Sequence, residues 1–285
     1  MSAMQGTTTA AVVQMSSTAD VAHNLAEARR WVEEAARRGA TLVCLPEYFC
    51  WIGVGEDERV KLAETFGDGP IQRALADLAR DTQTWLIGGT VPIRPASGEQ
   101  RDTHAYNTSL LFDPAGACTA RYDKIHLFSF NQGAEQHAEG DTMVGGDAIG
   151  TAQGPFGMLR MSVCYDLRFP ELFRAKPAAD VIAVPAAFTH TTGLAHWELL
   201  LRARAVENEA YVLASGQCGT HPNGWRTFGH SMIVGPWGEV LACHADGPGV
   251  ALATLSAETL NAVRARLPVL EHRRIATPAE MAPTA

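Results

Sequence analysis

Met161-Ser162-Val163-Cys164-Tyr165-Asp166-Leu167-Arg168-Phe169-Pro170-Glu171 is the stretch from which the rest of the chain is best read. A short segment ending in Val163 carries a single thiol, and Arg-Phe-Pro-Glu then opens a helix. Pro170 suits a first helical turn because no amide hydrogen is needed there. The sulfur therefore sits where strand becomes helix, near free backbone N–H groups and the positive end of a helix dipole. Both lower a thiol pKa and can hold an oxyanion. The same segment also fits a small buried hydrophobe, the commonest fate of a free cysteine.

Working outward, Val181-Ile182-Ala183-Val184-Pro185 is a buried strand, and residues 193–209 form a long helix with Trp197, Leu200, Leu201, Ala205 and Asn208 at helical spacing. Strands follow over 211–214, 227–234, 239–243 and 249–255, before a final helix near 258–267. Toward the N-terminus, strands are expected at 156–163, 118–123, 104–112, 85–91, 41–45 and 10–14. A helix runs near 69–81, and another from Asp20 to Arg38 places Val21, Leu25, Ala28, Val32 and Ala35 on one stripe before Gly39 ends it. Helices at both ends of a strand-rich middle define an α/β class, with sheets in the centre and helices outside. There is no repeat and no composition break, so residues 1–285 are read as one domain with a loose tail after about 275.

The 285 residues are enough for a sizeable core, and 46% hydrophobic with 19% charged residues is ordinary for a globular protein. A formal charge of −8, from 23 Lys+Arg against 31 Asp+Glu, argues against a nucleic-acid surface. Residues 1–9 show no signal peptide, and no apolar run reaches the length of a membrane span. The six scattered cysteines, without a C-x-x-C, read as reduced thiols of a cytoplasmic protein. His190 with His196 and His221 with His230 lack a recognised metal spacing, so no metal is expected. No cofactor is expected either: there is no Walker lysine loop, and Gly53-Val54-Gly55 lacks the third glycine of a dinucleotide turn.

A cysteine nucleophile needs a base. Glu47 ends the second strand in Leu42-Val43-Cys44-Leu45-Pro46-Glu47-Tyr48-Phe49, at the carboxyl edge where open α/β sheets keep their sites. Lys124, in Arg121-Tyr122-Asp123-Lys124-Ile125-His126-Leu127-Phe128, follows a strand and precedes a long irregular loop that carries Glu139. Singly, each has an ordinary reading as a solvated cap, a surface lysine or packing. Together, Leu-Pro-Glu-Tyr, Tyr-x-Lys-Ile-His-Leu-Phe and Cys-Tyr-Asp-Leu-Arg-Phe-Pro-Glu, in this order, resemble the carbon–nitrogen hydrolase (nitrilase) superfamily from about Thr8 to Arg274.

The resemblance implies a four-layer α-β-β-α sandwich, a homodimer through the helices near the nucleophile strand, and a catalytic set of Glu47, Lys124, Cys164 and Glu139. Glu47 is then the general base, Cys164 the nucleophile that forms a thioester, and Lys124 with the Tyr165 N–H the oxyanion holder. Glu139 matches the second glutamate, in preference to Glu135, because it keeps the expected distance to the Gly-Asp that follows. Tyr48, Tyr165, Arg168, Phe188 and Thr192 are implied as substrate-binding residues.

True nitrilases resembling this family carry Trp-Glu after the cysteine, and carbamoylases a basic pair; Tyr165-Asp166 and the lone Arg168 point away from both. The pattern resembles the branch of omega-amidases and deaminated-glutathione amidases, which act on α-keto-acid amides. Arg168 suits a bidentate grip on a substrate carboxylate, or alternatively an ion pair with Glu171 or Asp166. Residues 195–205, 217–221, 229–238 and 267–274 lean toward the second activity, cleavage of deaminated glutathione to 2-oxoglutarate and cysteinylglycine. Omega-amidase action on 2-oxoglutaramate is the alternative. The segment from His221 to Arg226 is expected at a pocket rim that meets a peptide leaving group. A catalytically silent binding module and a redox-sensing thiol are the readings from other classes; the intact four residues argue against the first, and the second requires oxidation without turnover.

Overall fold

The computed structural model describes residues 4–98, 100–132 and 135–275, with all side chains among them except those of Glu56, Gln132, Glu135 and Gln136. The tail beyond about 275 and the side chain of Glu135 lie outside the described residues.

The first half of the chain runs β1 (Thr7–Gln14), α1 (Val21–Arg37), β2 (Leu42–Cys44), α2 (Glu56–Lys61), α3 (Pro70–Thr82), β3 (Trp85–Ile87), β4 (Val91–Ile93), β5 (Ala105–Phe112) and β6 (Cys118–Asp123). A ribbon of β7 (Ser129–Gln132) and β8 (Glu135–Ala138) follows, then β9 (Met143–Val144). The second half runs β10 (Thr151–Gly154), β11 (Gly157–Met161), α4 (Pro170–Arg174), β12 (Val181–Ala186), α5 (His190–Asn208), β13 (Tyr211–Gly216), β14 (Cys218–Thr220), β15 (Arg226–Phe228), β16 (Ser231–Val234), β17 (Val240–His244), β18 (Gly249–Ser256) and α6 (Ala257–Arg266).

The first half supplies most of one sheet, which β18 joins from the second half, and the second half supplies the other. The first has the order β18-β1-β2-β3-β5-β4, with β6 and β9 also on β5; the second is β10-β11-β12-β13-β16-β17. β1, β2 and β3 are parallel, as are β11, β12 and β13, and their crossovers carry α1 and α3 in one half, α4 and α5 in the other. Such strands are covered on both faces and read as near-continuous apolar runs. Along β1, Ala10 and Val12 face the core between the sheets, while Ala11 and Val13 face α1 and α3. Trp197, Leu201 and Ala205 of α5 cover the far side of the second sheet. The layers are therefore α-β-β-α, the order the family resemblance implied.

The helices start and stop where local chemistry directs. Asp20 caps α1 by accepting the His23 N–H at 3.0 Å, and Pro170 opens α4. Two expected strands are broken. The run 85–91 divides into β3 and β4 at Gly89, whose φ is +58° and where a Cβ would lie 2.2 Å from the Pro46 carbonyl oxygen. The run 227–234 divides at Gly229 and His230, both at positive φ, so that β15 pairs with β14 while β16 enters the second sheet. The loop after Lys124, expected to be irregular, contains the β7–β8 ribbon and a 3-10 turn at Glu139–Asp141. Strands of four residues rich in polar side chains leave little periodic signal.

Candidate active site

Glu47 lies just beyond β2, on a turn held from both sheets. Tyr48 has φ +56°, its N–H donates to Thr90 Oγ1 at 2.8 Å, and the Glu47 carbonyl accepts from Gln217 Nε2 at 3.0 Å. The close approach at Gly89 lets Pro46 pack into this turn. The Glu47 carboxylate is buried, and three donors meet it: Lys124 Nζ and Asn107 Nδ2 on Oε1, both at 2.9 Å, and the Ala187 N–H on Oε2 at 2.9 Å.

Lys124 follows β6 and is anchored by its N–H to the Asn107 carbonyl at 3.0 Å. Its ammonium also donates to Glu139 Oε2 at 2.7 Å. Glu139 further accepts from the Phe128 N–H (2.7 Å), Tyr48 Oη (2.6 Å) and Asn107 Nδ2 (2.9 Å). One ammonium thus lies between two carboxylates in a nearly dry setting. Burial alone would push the Lys124 pKa down, but Glu139 and Glu47 outweigh it and hold it well above the ordinary lysine value. Burial would likewise raise Glu139; the Lys124 charge and hydrogen bond, with the Phe128 and Tyr48 donors, hold its carboxyl below the usual range. Neither charge could stay there without the other.

Cys164 occupies a sharp junction. β11 ends at Met161, and Cys164, with φ +46°, opens a five-residue 3-10 turn before α4. Positive φ on a residue with a Cβ is uncommon and persists only where the surroundings over-determine it. The surroundings here centre on Asp166, fully buried, which accepts from Tyr122 Oη (2.7 Å), the Val163 N–H (2.8 Å) and the His126 N–H (3.1 Å), with His126 Nδ1 also at 2.7 Å. Tyr122 and His126 flank Lys124 in sequence, so Asp166 clasps the lysine's segment to the cysteine's turn.

The helix dipole expected to lower the thiol pKa does not dominate. Burial pushes the Cys164 thiol well above its ordinary value, and the adjacent Glu47 carboxylate, within hydrogen-bonding reach, pushes the same way; Lys124 and the Ala187 N–H oppose them. α4 holds only five residues and begins six positions past the sulfur. Tyr165 is the second residue of the 3-10 turn that Cys164 opens, a position whose N–H lacks a partner within the turn.

Glu47, Lys124, Glu139 and Cys164 all line one cavity of about 1010 Å3, together with Tyr48, Tyr165, Arg168, Phe188 and Thr192. Arg168 stands 5.8 Å from the Tyr165 ring centroid and 5.3 Å from that of Phe188, with Nη1 3.3 Å from His196 Nδ1. Among the described residues it pairs with no carboxylate, so the alternative of an ion pair with Glu171 or Asp166 is not what the structure has. Thr192 contributes its wall position, but its hydroxyl is engaged with Thr189 Oγ1 at 3.0 Å. Residues 223–227 also line the cavity, whereas His221 is turned inward, between the Ser17 carbonyl and Thr227 Oγ1.

Sequence reading missed Asn107, which bridges both carboxylates from the middle of β5, and the Ala187 N–H just past β12. The only available signal for Asn107 was an amide early in β5, which has to find partners when buried. Phe128 and His137, which build an aromatic wall with Trp225 of the expected rim, were missed as well.

A carbon-nitrogen hydrolase family model matches residues 9–265. The chain belongs to the carbon–nitrogen hydrolase family. It is 40% identical over 269 residues to the deaminated glutathione amidase of Synechocystis sp. strain PCC 6803, covering 93% of this chain and 97% of that one. It is likewise 40% identical to the deaminated glutathione amidase of Homo sapiens, covering 93% and 81%. The crystal structure of Saccharomyces cerevisiae Nit3, a member of branch 10 of the nitrilase superfamily, superposes with a TM-score of 0.86 at 29% identity, covering 96% of this chain and 99% of that one. As a carbon–nitrogen hydrolase of the amidase class, the chain acts on a small-molecule amide. Among the described residues, no helix of this hydrolase is long and apolar enough to cross a membrane.

Proposed function

We propose that this hydrolase cleaves the amide of deaminated glutathione to 2-oxoglutarate and cysteinylglycine, a metabolite-repair reaction, through a thioester on Cys164. The observation that carries the chemistry is the Glu47 carboxylate, which meets Lys124, the Ala187 N–H and the Cys164 sulfur inside one buried cavity. The substrate reading is supported by the names of the relatives at 40% identity and by Arg168, a guanidinium without a carboxylate partner on the cavity wall.

The thiol rests protonated. As its sulfur bonds to the amide carbon, its proton passes to Glu47, and the carbonyl oxygen gathers charge opposite the Lys124 ammonium and the Tyr165 N–H. Collapse breaks the C–N bond, and the proton on Glu47 leaves with the amine. A water then gives its proton to Glu47 and attacks the thioester, and the same proton returns to the departing sulfur. Glu139, with Asn107 and Tyr48, holds Lys124 in place throughout. Arg168 grips the α-keto-acid carboxylate.

We read the chain, residues 1–285, as one carbon–nitrogen hydrolase domain, a reading supported by one core cluster that draws on both sheets. We place the protein in the cytoplasm, in keeping with six free cysteines. A homodimer through α5 is supported by Leu194, Leu199 and Val206 on that helix, which are exposed, as are Trp237 and Leu241.

The test is kcat/KM for deaminated glutathione and 2-oxoglutaramate side by side, with Cys164→Ala as the blank. A preference of several hundredfold for the peptide amide, about 3–4 kcal/mol of transition-state discrimination, is expected. Comparable or reversed values move the assignment to omega-amidase.

A further inference from the structure

The cavity is large for a free keto amide. At about 1010 Å3 it stands at the upper end of small-molecule pockets, roughly 300–1,000 Å3. Its cations are also spread out. Arg168 lies beside the nucleophile, 5.8 Å from the Tyr165 ring. From Tyr165 a file of rings leads away: Phe128 at 5.1 Å, then His137 at 5.3 Å from Phe128, then Trp225 at 4.8 Å from His137. Arg226, next in the chain after Trp225, also lines the cavity. Two arginines therefore line the cavity, one beside the Tyr165 ring that begins this file and one directly following the Trp225 that ends it.

The far end is built rather than loose. The β14–β15 hairpin is held by the Trp225 N–H on Asn223 Oδ1 at 3.0 Å, by the His221 N–H on the Trp225 carbonyl at 2.8 Å, and by the buried His221 ring beneath it. Arg59, buried and stacked 3.8 Å from the Tyr48 ring, approaches Trp225 at 6.0 Å. Arg226 itself is exposed, and among the described residues it pairs with no carboxylate, unlike the exposed arginines Arg29, Arg73 and Arg80.

We propose that Arg226 is the specificity residue of a second carboxylate subsite on the leaving-group side, so that the enzyme selects amides bearing a carboxylate at both ends. The inference rests on the reading given under Proposed function and assigns the acyl carboxylate to Arg168 and the leaving-group carboxylate to Arg226. A guanidinium pairs with a carboxylate through two parallel N–H donors.

The experiment uses two substrates, deaminated glutathione and the same compound with its terminal carboxyl converted to an amide. With Arg226→Gln, kcat/KM for deaminated glutathione is expected to fall about 10–100-fold, as for loss of a charge-assisted hydrogen bond, while the amidated compound stays within about twofold. Arg226→Lys should recover part of the loss. Equal loss on both substrates, or no loss on either, overturns the proposal. Wild-type enzyme inactive on deaminated glutathione overturns the underlying reading before any variant is made, which keeps the two failures distinct.

Discussion

At the scale of the residue, the site keeps its nucleophile protonated until substrate arrives. Burial and the Glu47 charge both raise the Cys164 pKa above an ordinary thiol value of 9.0, so little thiolate exists near neutral pH. General-base transfer to Glu47 then has to accompany attack. The sign of the effect can be checked. Alkylation of Cys164 by iodoacetamide should still be climbing above pH 9 in the wild type. Glu47→Gln removes the charge that raises the thiol, so its alkylation profile should move to lower pH. Amide turnover should fall about 10²–10⁴-fold, the range for loss of a general base. Turnover kept within tenfold would remove Glu47 from the role of base.

At the scale of the element, two segments have to be held in register, the β6 extension with Lys124 and the turn with Cys164. Asp166 does this through Tyr122, His126 and Val163, and Cys164 adopts positive φ within that clasp. Asp166→Asn keeps the size but turns an acceptor toward donors as a donor itself. The expected cost is about 1–3 kcal/mol, read as a lower urea midpoint with unchanged slope. Because Asp166 acts through Lys124 and Cys164, kcat should fall about 10–100-fold with KM within about threefold. An unaltered kcat in a destabilised variant would make the clasp purely structural.

At the scale of the whole molecule, the second sheet leaves Leu194, Leu199 and Val206 of α5 uncovered, on a face that also carries the Arg202–Glu198 ion pair. Leu199 is 67% exposed and Leu194 66% exposed, while the first turn of the same helix, through Thr192, forms a wall of the cavity. A second copy of the chain packed on that face would brace the wall. Leu199→Glu should therefore shift a sedimenting dimer toward monomer and raise KM, with melting of the monomer little altered, since the side chain contributes little to its own core. Wild type that sediments as a monomer at micromolar concentration would dismiss the dimer.

Legibility in the sequence followed the range of the forces involved. The α1 stripe and the Asp20 cap were readable because a helix repeats every few residues and is capped within one turn. Pro46-Glu47 and the turn at Cys164 stood out because strand ends are punctuated locally. The family motifs brought Glu47, Lys124, Glu139 and Cys164 into one hypothesis, and the four-layer order of the fold came with it. What tertiary structure alone decided was every relation between segments far apart in sequence. Asn107 reaches Glu47 from 60 positions away, Ala187 from 140 and Gln217 from 170; β3 and β4 part at Gly89 because of a carbonyl more than forty residues earlier. The thiol's acidity belongs here as well. Its neighbours in sequence suggested a dipole that lowers the pKa, but burial and the carboxylate of a distant strand raise it. Periodicity, caps and turns are settled by bonded neighbours, whereas burial and charge depend on which segments packing brings together.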